Sequence, residues 1–206
     1  MNDYIIAIRL HLFVYLAMTN VKLLEFLRLL TLNSEESVSL LAGNFESKIL
    51  QKGNILLKEG EICTAFYFVE SGYLRTCYDK GGTEINLYFH MDGSMSSDHR
   101  NAKAGIASKF TIKAGEKSEV WILNRKKLEE LCYANEQIMV FARRLVSHIA
   151  LNLNDNELLS KIYSPAERYT HMQKNHPDLL QRISLSNLAS YLGIDRRTLT
   201  RIRGKK

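Results

Sequence analysis

Apolar positions along the chain change their spacing from one stretch to the next, and each spacing predicts a different element. Leu23, Leu24, Leu27 and Leu30 recur at helical intervals within Val21–Leu30. Asn33, Ser34 and two acids then open a second helix reaching Ala42, because a serine hydroxyl satisfies free amides of a first turn. Between Gly43 and Gly115, which bound nine of the eleven glycines, the runs become short and rich in aromatic and branched residues. Asn54–Leu57, Ala65–Glu70, Tyr73–Tyr78, Glu84–His90, Lys109–Ala114 and Glu119–Leu123 are predicted as strands of an antiparallel sandwich or roll. In Lys109–Ala114, Phe110, Ile112 and Ala114 alternate with Lys109, Thr111 and Lys113, so one face is buried and one is wet. Lys80-Gly81-Gly82-Thr83 reads as a hairpin turn, since glycine accepts the positive φ such turns need.

Helical spacing returns after the strands. Asn124 is placed to cap Arg125–Leu131. From Glu136 to about Ile162 there is neither Gly nor Pro, and Ile138, Phe141, Ala142, Leu145 and Ile149 form an apolar stripe. A helix of that length spans roughly 37 Å and needs cover along its stripe, from its own body or from a parallel copy. The second copy is the expectation here, with Ile138, Phe141, Leu145 and Ile149 as the dimer seam. Asn152, Asp155 and Asn156 weaken such a seam in the second half. Ser164-Pro165-Ala166-Glu167 has the ingredients of a capping box and marks the start of a further domain.

The apolar run Tyr4–Met18 is broken by Arg9 and His11, and a membrane span needs about 20 apolar residues. It has no signal-peptide layout, with Asp3 before it and Arg9 inside it. It fits helix or strand. Two readings stay open: an extra element packed on the body, or a natural start at Met18. Cys63, Cys77 and Cys132 form no close pair, which points to a reducing cytoplasm rather than a disulfide framework.

Charge sharpens the picture at one end. The net charge is +6 over 206 residues, yet residues 1–160 hold 18 Lys and Arg against 19 acids, while residues 161–206 hold 10 against 3. A nearly neutral body with a basic end suggests a polyanionic partner there. The same end carries LSNLASYLGIDRRTLTRI over residues 185–202. Ala189 is the small residue a helix-turn-helix needs where its helices touch, and Gly193 supplies the turn. Leu188, Leu192, Ile194, Leu199 and Ile202 form the inner face, and Asp195 is placed to cap the second helix. With Leu199 and Ile202 inward, Arg197 and Arg201 share an outward face, with Arg196 and Thr200 beside them. Arginine's planar fork suits guanine edges in the major groove. Arg203, Lys205 and Lys206, with Ser186 and Asn187 at the start of the first helix, suit phosphates.

On these residues the chain resembles the Crp/Fnr family of bacterial transcription regulators from about residue 22 to its end. KGNILLKEGEICTAFYFVESGYLRTCY is similar to the opening of the family's cyclic-nucleotide-binding β-roll, including the Gly60 and Gly72 turns. The stretch after Asn135 is similar to its dimerisation helix, and ERYTHMQKNHPDLLQRISLSNLASYLGIDRRTLTRIR to its DNA-binding end. The resemblance implies an α+β chain: an N-terminal antiparallel, jelly-roll-like β-roll with flanking helices, a long dimerisation helix and a helix-turn-helix domain. Four residues follow Ile202, so little or no β-wing is expected. The implied layout is an extra segment 1–18, an effector roll 19–135, a dimerisation helix 136–162 and a DNA-binding domain 163–206. The implied partners are double-stranded DNA, a second copy and RNA polymerase, with no membrane and no cofactor.

Departures from the pattern bear on the effector. Nucleotide-binding members hold ribose and cyclic phosphate with a Gly-Glu and an Arg-Ser pair. Here Ser97-Asp98 stands for the first, and Ala107 precedes Ser108 where the arginine would be. A cyclic phosphate in a buried roll needs a charge-assisted partner, so cyclic AMP is not expected to bind; Arg100 would have to act from another geometry. The cysteines are too scattered for an iron–sulfur cluster, and His90, available as a haem ligand, reads better as structural. Two alternatives remain: a regulator responding to an unrecognised small molecule or cyclic nucleotide, and, of a different class, a cupin-type metal enzyme using His90, Asp92, Asp98 and His99.

Overall fold

The computed structural model describes residues 21–98 and 104–204, the side chains of 154–156 excepted. The Tyr4–Met18 run, His99, Arg100, Lys205 and Lys206 lie outside the described residues. Helix α1 (Val21–Thr31) turns through Leu32 and Asn33, both at positive φ, into α2 (Glu35–Ala42), whose Ser37 amide donates to the Ser34 hydroxyl. Glu70 fixes the start of α1: its carboxylate accepts the amides of Lys22 and Leu23, each at 3.0 Å. A helix N-terminus presents unpaired N–H groups and a positive dipole end, so a carboxylate belongs there.

The strands follow as β1 (Phe45–Leu50), β2 (Ile55–Leu57), β3 (Ala65–Ser71), β4 (Tyr73–Lys80), β5 (Thr83–Met91), β6 (Met95–Ser96), β7 (Thr111–Ala114) and β8 (Ser118–Asn124). They form two antiparallel sheets in the orders β1-β8-β3-β6 and β2-β7-β4-β5. Lys80 pairs with Thr83 across the hairpin, with Gly81 at φ 62° and Gly82 at φ 84°. Alternation assigns each sheet its two faces. Tyr67, Val69, Val120, Leu74, Ile112 and Ala114 fill the space between the sheets. Phe66, Phe68, Trp121 and Leu123 point the other way and meet the helices. Gly72 holds β3 and β4 together at φ 92°; a Cβ there would lie 2.7 Å from the Ser118 Cα.

Asn124 caps α3 (Arg125–Ala134), and Asn135 caps the long α4 (Glu136–Ile162). The stripe of α4 corrects the expected dimer seam. Ile138, Phe141 and Leu145 are 0% exposed and Ile149 is 5% exposed within a single chain. They pack with Leu23, Phe26 and Leu27 of α1 and the outer face of the first sheet. The helix lies on its own body because the roll offers a ready apolar surface there, so these four side chains are not free to meet a second copy.

Beyond α4 come α5 (Pro165–Asn175), α6 (Pro177–Arg182), α7 (Leu185–Leu192) and α8 (Arg196–Gly204). Both halves of the Ser164–Glu167 capping box form. Tyr169, Met172, Leu179, Ile183, Leu188, Leu192 and Leu199 make a second core, joined by Tyr73, Phe89 and Met91 of the roll. The helices are therefore seated on β5.

Candidate nucleic-acid interface and effector region

Helices α7 and α8 form the helix-turn-helix. Ser184 caps α7, accepting the Asn187 amide at 3.2 Å. At the other end Gly193 adopts φ 68°, ψ 30°, and the Ile194 amide bonds the Ala189 carbonyl at 3.0 Å. This left-handed cap redirects the chain within two residues. Asp195 then opens α8: its carboxylate accepts the Thr198 amide and hydroxyl, both at 2.8 Å. These hydrogen bonds from Thr198 hold the Asp195 carboxyl below its usual range. Ala189, Leu192 and Leu199 are buried between the two helices.

Arg196, Arg197, Thr200, Arg201 and Arg203 are exposed on α8. The Thr200 hydroxyl donates back to the Arg196 carbonyl at 3.0 Å, leaving the arginines as the outward donors. Ser186 is exposed as well, but Asn187 is engaged: the Asn86 side chain of β5 donates to its carbonyl at 3.3 Å. Beside it the Asn86 amide meets the Ser190 hydroxyl at 3.0 Å, and that hydroxyl meets the Glu84 carbonyl at 3.2 Å. The first helix of the motif is thus latched to the roll by a polar row that the sequence does not announce.

Arg182 completes the attachment. Its guanidinium pairs with Asp92 at 3.3 Å and with Glu116, and lies 5.8 Å from the Tyr73 ring centroid. Lys22 also reaches Asp92, at 3.4 Å.

Four of the five effector-region residues are described, and the two serines are each engaged locally. Ser97 donates to the Ala65 carbonyl at 3.0 Å and accepts from Arg125 at 3.2 Å. Ser108 is 2% exposed, and its hydroxyl is closed on the backbone of Phe110, both bonds at 3.0 Å. Ala107 is exposed, Asp98 follows β6, and Arg100 lies outside the described residues. The space between the two sheets is filled by side chains of the roll itself.

His90 bonds Thr76 at 2.8 Å, and burial lowers its pKa to about 4. With Asp92 also engaged, neither of these two side chains is turned to a metal. Among the described residues no group of three or more His, Cys, Asp or Glu is placed to hold one.

Known proteins are similar to this architecture. The cyclic nucleotide-binding domain model matches residues 47–135. A protein assigned to the Crp/Fnr family of transcriptional regulators, from Eubacterium rectale ATCC 33656, superposes with a TM-score of 0.62 at 21% identity, covering 82% of this chain and 81% of that one. FixK2 from Bradyrhizobium japonicum gives 0.61 at 18% identity, covering 78% and 83%. The c-di-GMP-responsive global regulator CLP from Xanthomonas campestris gives 0.61 at 15% identity, covering 79% and 86%. No curated protein matches in sequence.

This is the Crp/Fnr fold. Its roll matches the cyclic nucleotide-binding domain model over residues 47–135, in line with the resemblance in the sequence. In Crp/Fnr terms, the helix-turn-helix ends at α8, and no helix among the described residues is long and apolar enough to cross a membrane. Sequence reasoning missed Arg168 on α5 and Arg182 on α6. Both lie in the stretch similar to the DNA-binding end, but no local signal marks either; each gains its place only when the helices fold back onto the roll.

Proposed function

We propose that the chain is a sequence-specific DNA-binding transcription regulator, acting in the cytoplasm as a homodimer, whose roll does not bind cyclic AMP. One observation carries the reading: on α8, Leu199 is 0% exposed while Arg196, Arg197 and Arg201 all face outward. A helix anchored on one side with a bare arginine face on the other suits base edges in the major groove. Arg203, with Lys205 and Lys206 after it in the sequence, suits phosphates, and RNA polymerase is the implied onward partner.

With its expected seam buried, the dimer needs another face of α4. Met139, Arg143, Val146 and Ala150 recur at 4-3-4 spacing beside the buried stripe and keep exposed or half-exposed surface. That spacing suits a two-helix seam. Against cyclic AMP stand the exposed Ala107 and the closed Ser108 hydroxyl. Titration calorimetry with millimolar cyclic AMP is expected to give no saturable heat; micromolar affinity would overturn that part.

The deciding experiment is selection from a random duplex pool. The wild type should enrich a roughly palindromic motif, with half-sites about 34 Å apart. Arg201→Ala should relax one base pair at a cost of roughly 1–3 kcal/mol. Removal of Lys205 and Lys206 should weaken all sequences alike and flatten the salt dependence. No enriched motif would end the reading of a sequence-specific regulator.

A further inference from the structure

A cavity of about 690 Å³ lies where the roll, α4 and the DNA-binding helices meet. The turn from β5 to β6 closes one side, His148, Asn152 and Leu153 of α4 another, and Arg168, Met172 and Leu179 of α5 and α6 a third. The volume is in the range of small-molecule sites, which are mostly apolar with a few convergent polar groups.

Two polar atoms on its walls are buried and unpaired: Oγ of Ser96, a residue 1% exposed, and Nε of Arg168. A buried donor without a partner is costly and rare. Arg168 forms no ion pair among the described residues; its Nη2 donates to the Leu192 carbonyl at 2.6 Å. The acid on the cavity wall, Asp92, is already held by Lys22 and Arg182. His148, His171 and His176 add no negative charge. Among the described residues the cavity thus presents an unneutralised guanidinium beside Leu153, Leu159, Met172 and Leu179.

We propose that this cavity binds an amphipathic organic acid. Its carboxylate sits on Arg168, its apolar body lies along α4 and α5, and Ser96 offers a second polar anchor. One guanidinium matches one carboxylate in charge and shape. The consequence for regulation rests on the DNA-binding reading. The Leu192 carbonyl held by Arg168 ends α7, one residue before the Gly193 turn. An occupant of the cavity therefore bears on the helix-turn-helix through a single hydrogen bond, and favours the arrangement in which it is seated on the roll.

The test uses the full chain without DNA, so its failure and that of the regulator reading are separate. Calorimetry with decanoate, and with decan-1-ol as the neutral probe, is run on wild type, Arg168→Met and His171→Asp. Decanoate should bind saturably, at least tenfold tighter than decanol. Arg168→Met should lose at least tenfold for decanoate and leave decanol unchanged. His171→Asp changes a half-exposed residue of the wall and places a negative charge there; it should act in the same direction, and carries the test should Arg168→Met fail to fold. Equal binding of the two probes, no saturable decanoate binding, or decanoate affinity unchanged in a folded variant would each overturn the proposal.

Discussion

His90 shows how one side chain ties stability to pH. It sits on β5 against Thr76, and burial lowers its pKa to about 4 from an ordinary 6.5. Between those values the unfolded chain takes up a proton that the folded chain refuses. The stabilising contribution is therefore complete above pH 6.5 and is lost as the pH falls toward 4, by an amount on the order of 2–3 kcal/mol. Urea melts at pH 7.5, 6.0 and 4.5 should show this loss in the wild type and a smaller one in His90→Gln. Gly193 is constrained for a different reason. Space around it is open, but its φ of 68° suits no branched side chain. Gly193→Val should cost about 1–2 kcal/mol through backbone strain alone, read as a lower midpoint with an unchanged denaturant slope.

At the scale of elements, α4 separates two roles that a single apolar stripe seemed to combine. Its inward side closes the core of the chain, so Leu145→Ala should destabilise folding by about 2–5 kcal/mol and leave the association state unchanged. Val146→Asp, on the proposed seam, should do the reverse and give a folded monomer in sedimentation runs. A wild type that is monomeric at micromolar concentration would remove the seam altogether. The β4–β5 hairpin shows the same division of labour. Its turn needs only two glycines at positive φ, while its flank carries Glu84 and Asn86 to α7.

For the whole molecule, the consequential contact is the seat of the helix-turn-helix on the roll. Arg182 binds Asp92 and Glu116 with its guanidinium partly buried, and the Asn86–Ser190 row lies on the other side of Tyr73 and Phe89 in the sheet. Hydrogen bonds to charged partners of this kind are worth about 1.5–3 kcal/mol. Arg182→Ala should therefore raise amide exchange in α7 well before the roll opens, because the roll keeps its own core. Exchange in α7 that rises only together with β3 and β8 would show the two cores unfolding as one unit.

Much of this molecule was legible from local pattern. Glycine positions, alternation and caps depend on neighbours a few residues away, so the roll, the hairpin at Gly81–Gly82, the Ser164 box and the Gly193 turn follow from sequence alone. The short strands Phe45–Leu50 and Met95–Ser96 were not legible: the first exposes four of its six residues and the second is two residues long, so neither carries an alternating signal. Periodicity located the stripe on α4 but left its partner undecided, since an apolar face is satisfied equally by a second copy or by the chain's own sheet. Only the folded chain, bringing Phe26, Phe68 and Trp121 to that face, decided it. The same holds for the effector region. The resemblance in the sequence places Ala107 where a cation would stand in nucleotide-binding members. The cavity that holds Arg168 arises where the β5–β6 turn meets helices about 50 residues or more further along the chain, and no local pattern encodes that distance.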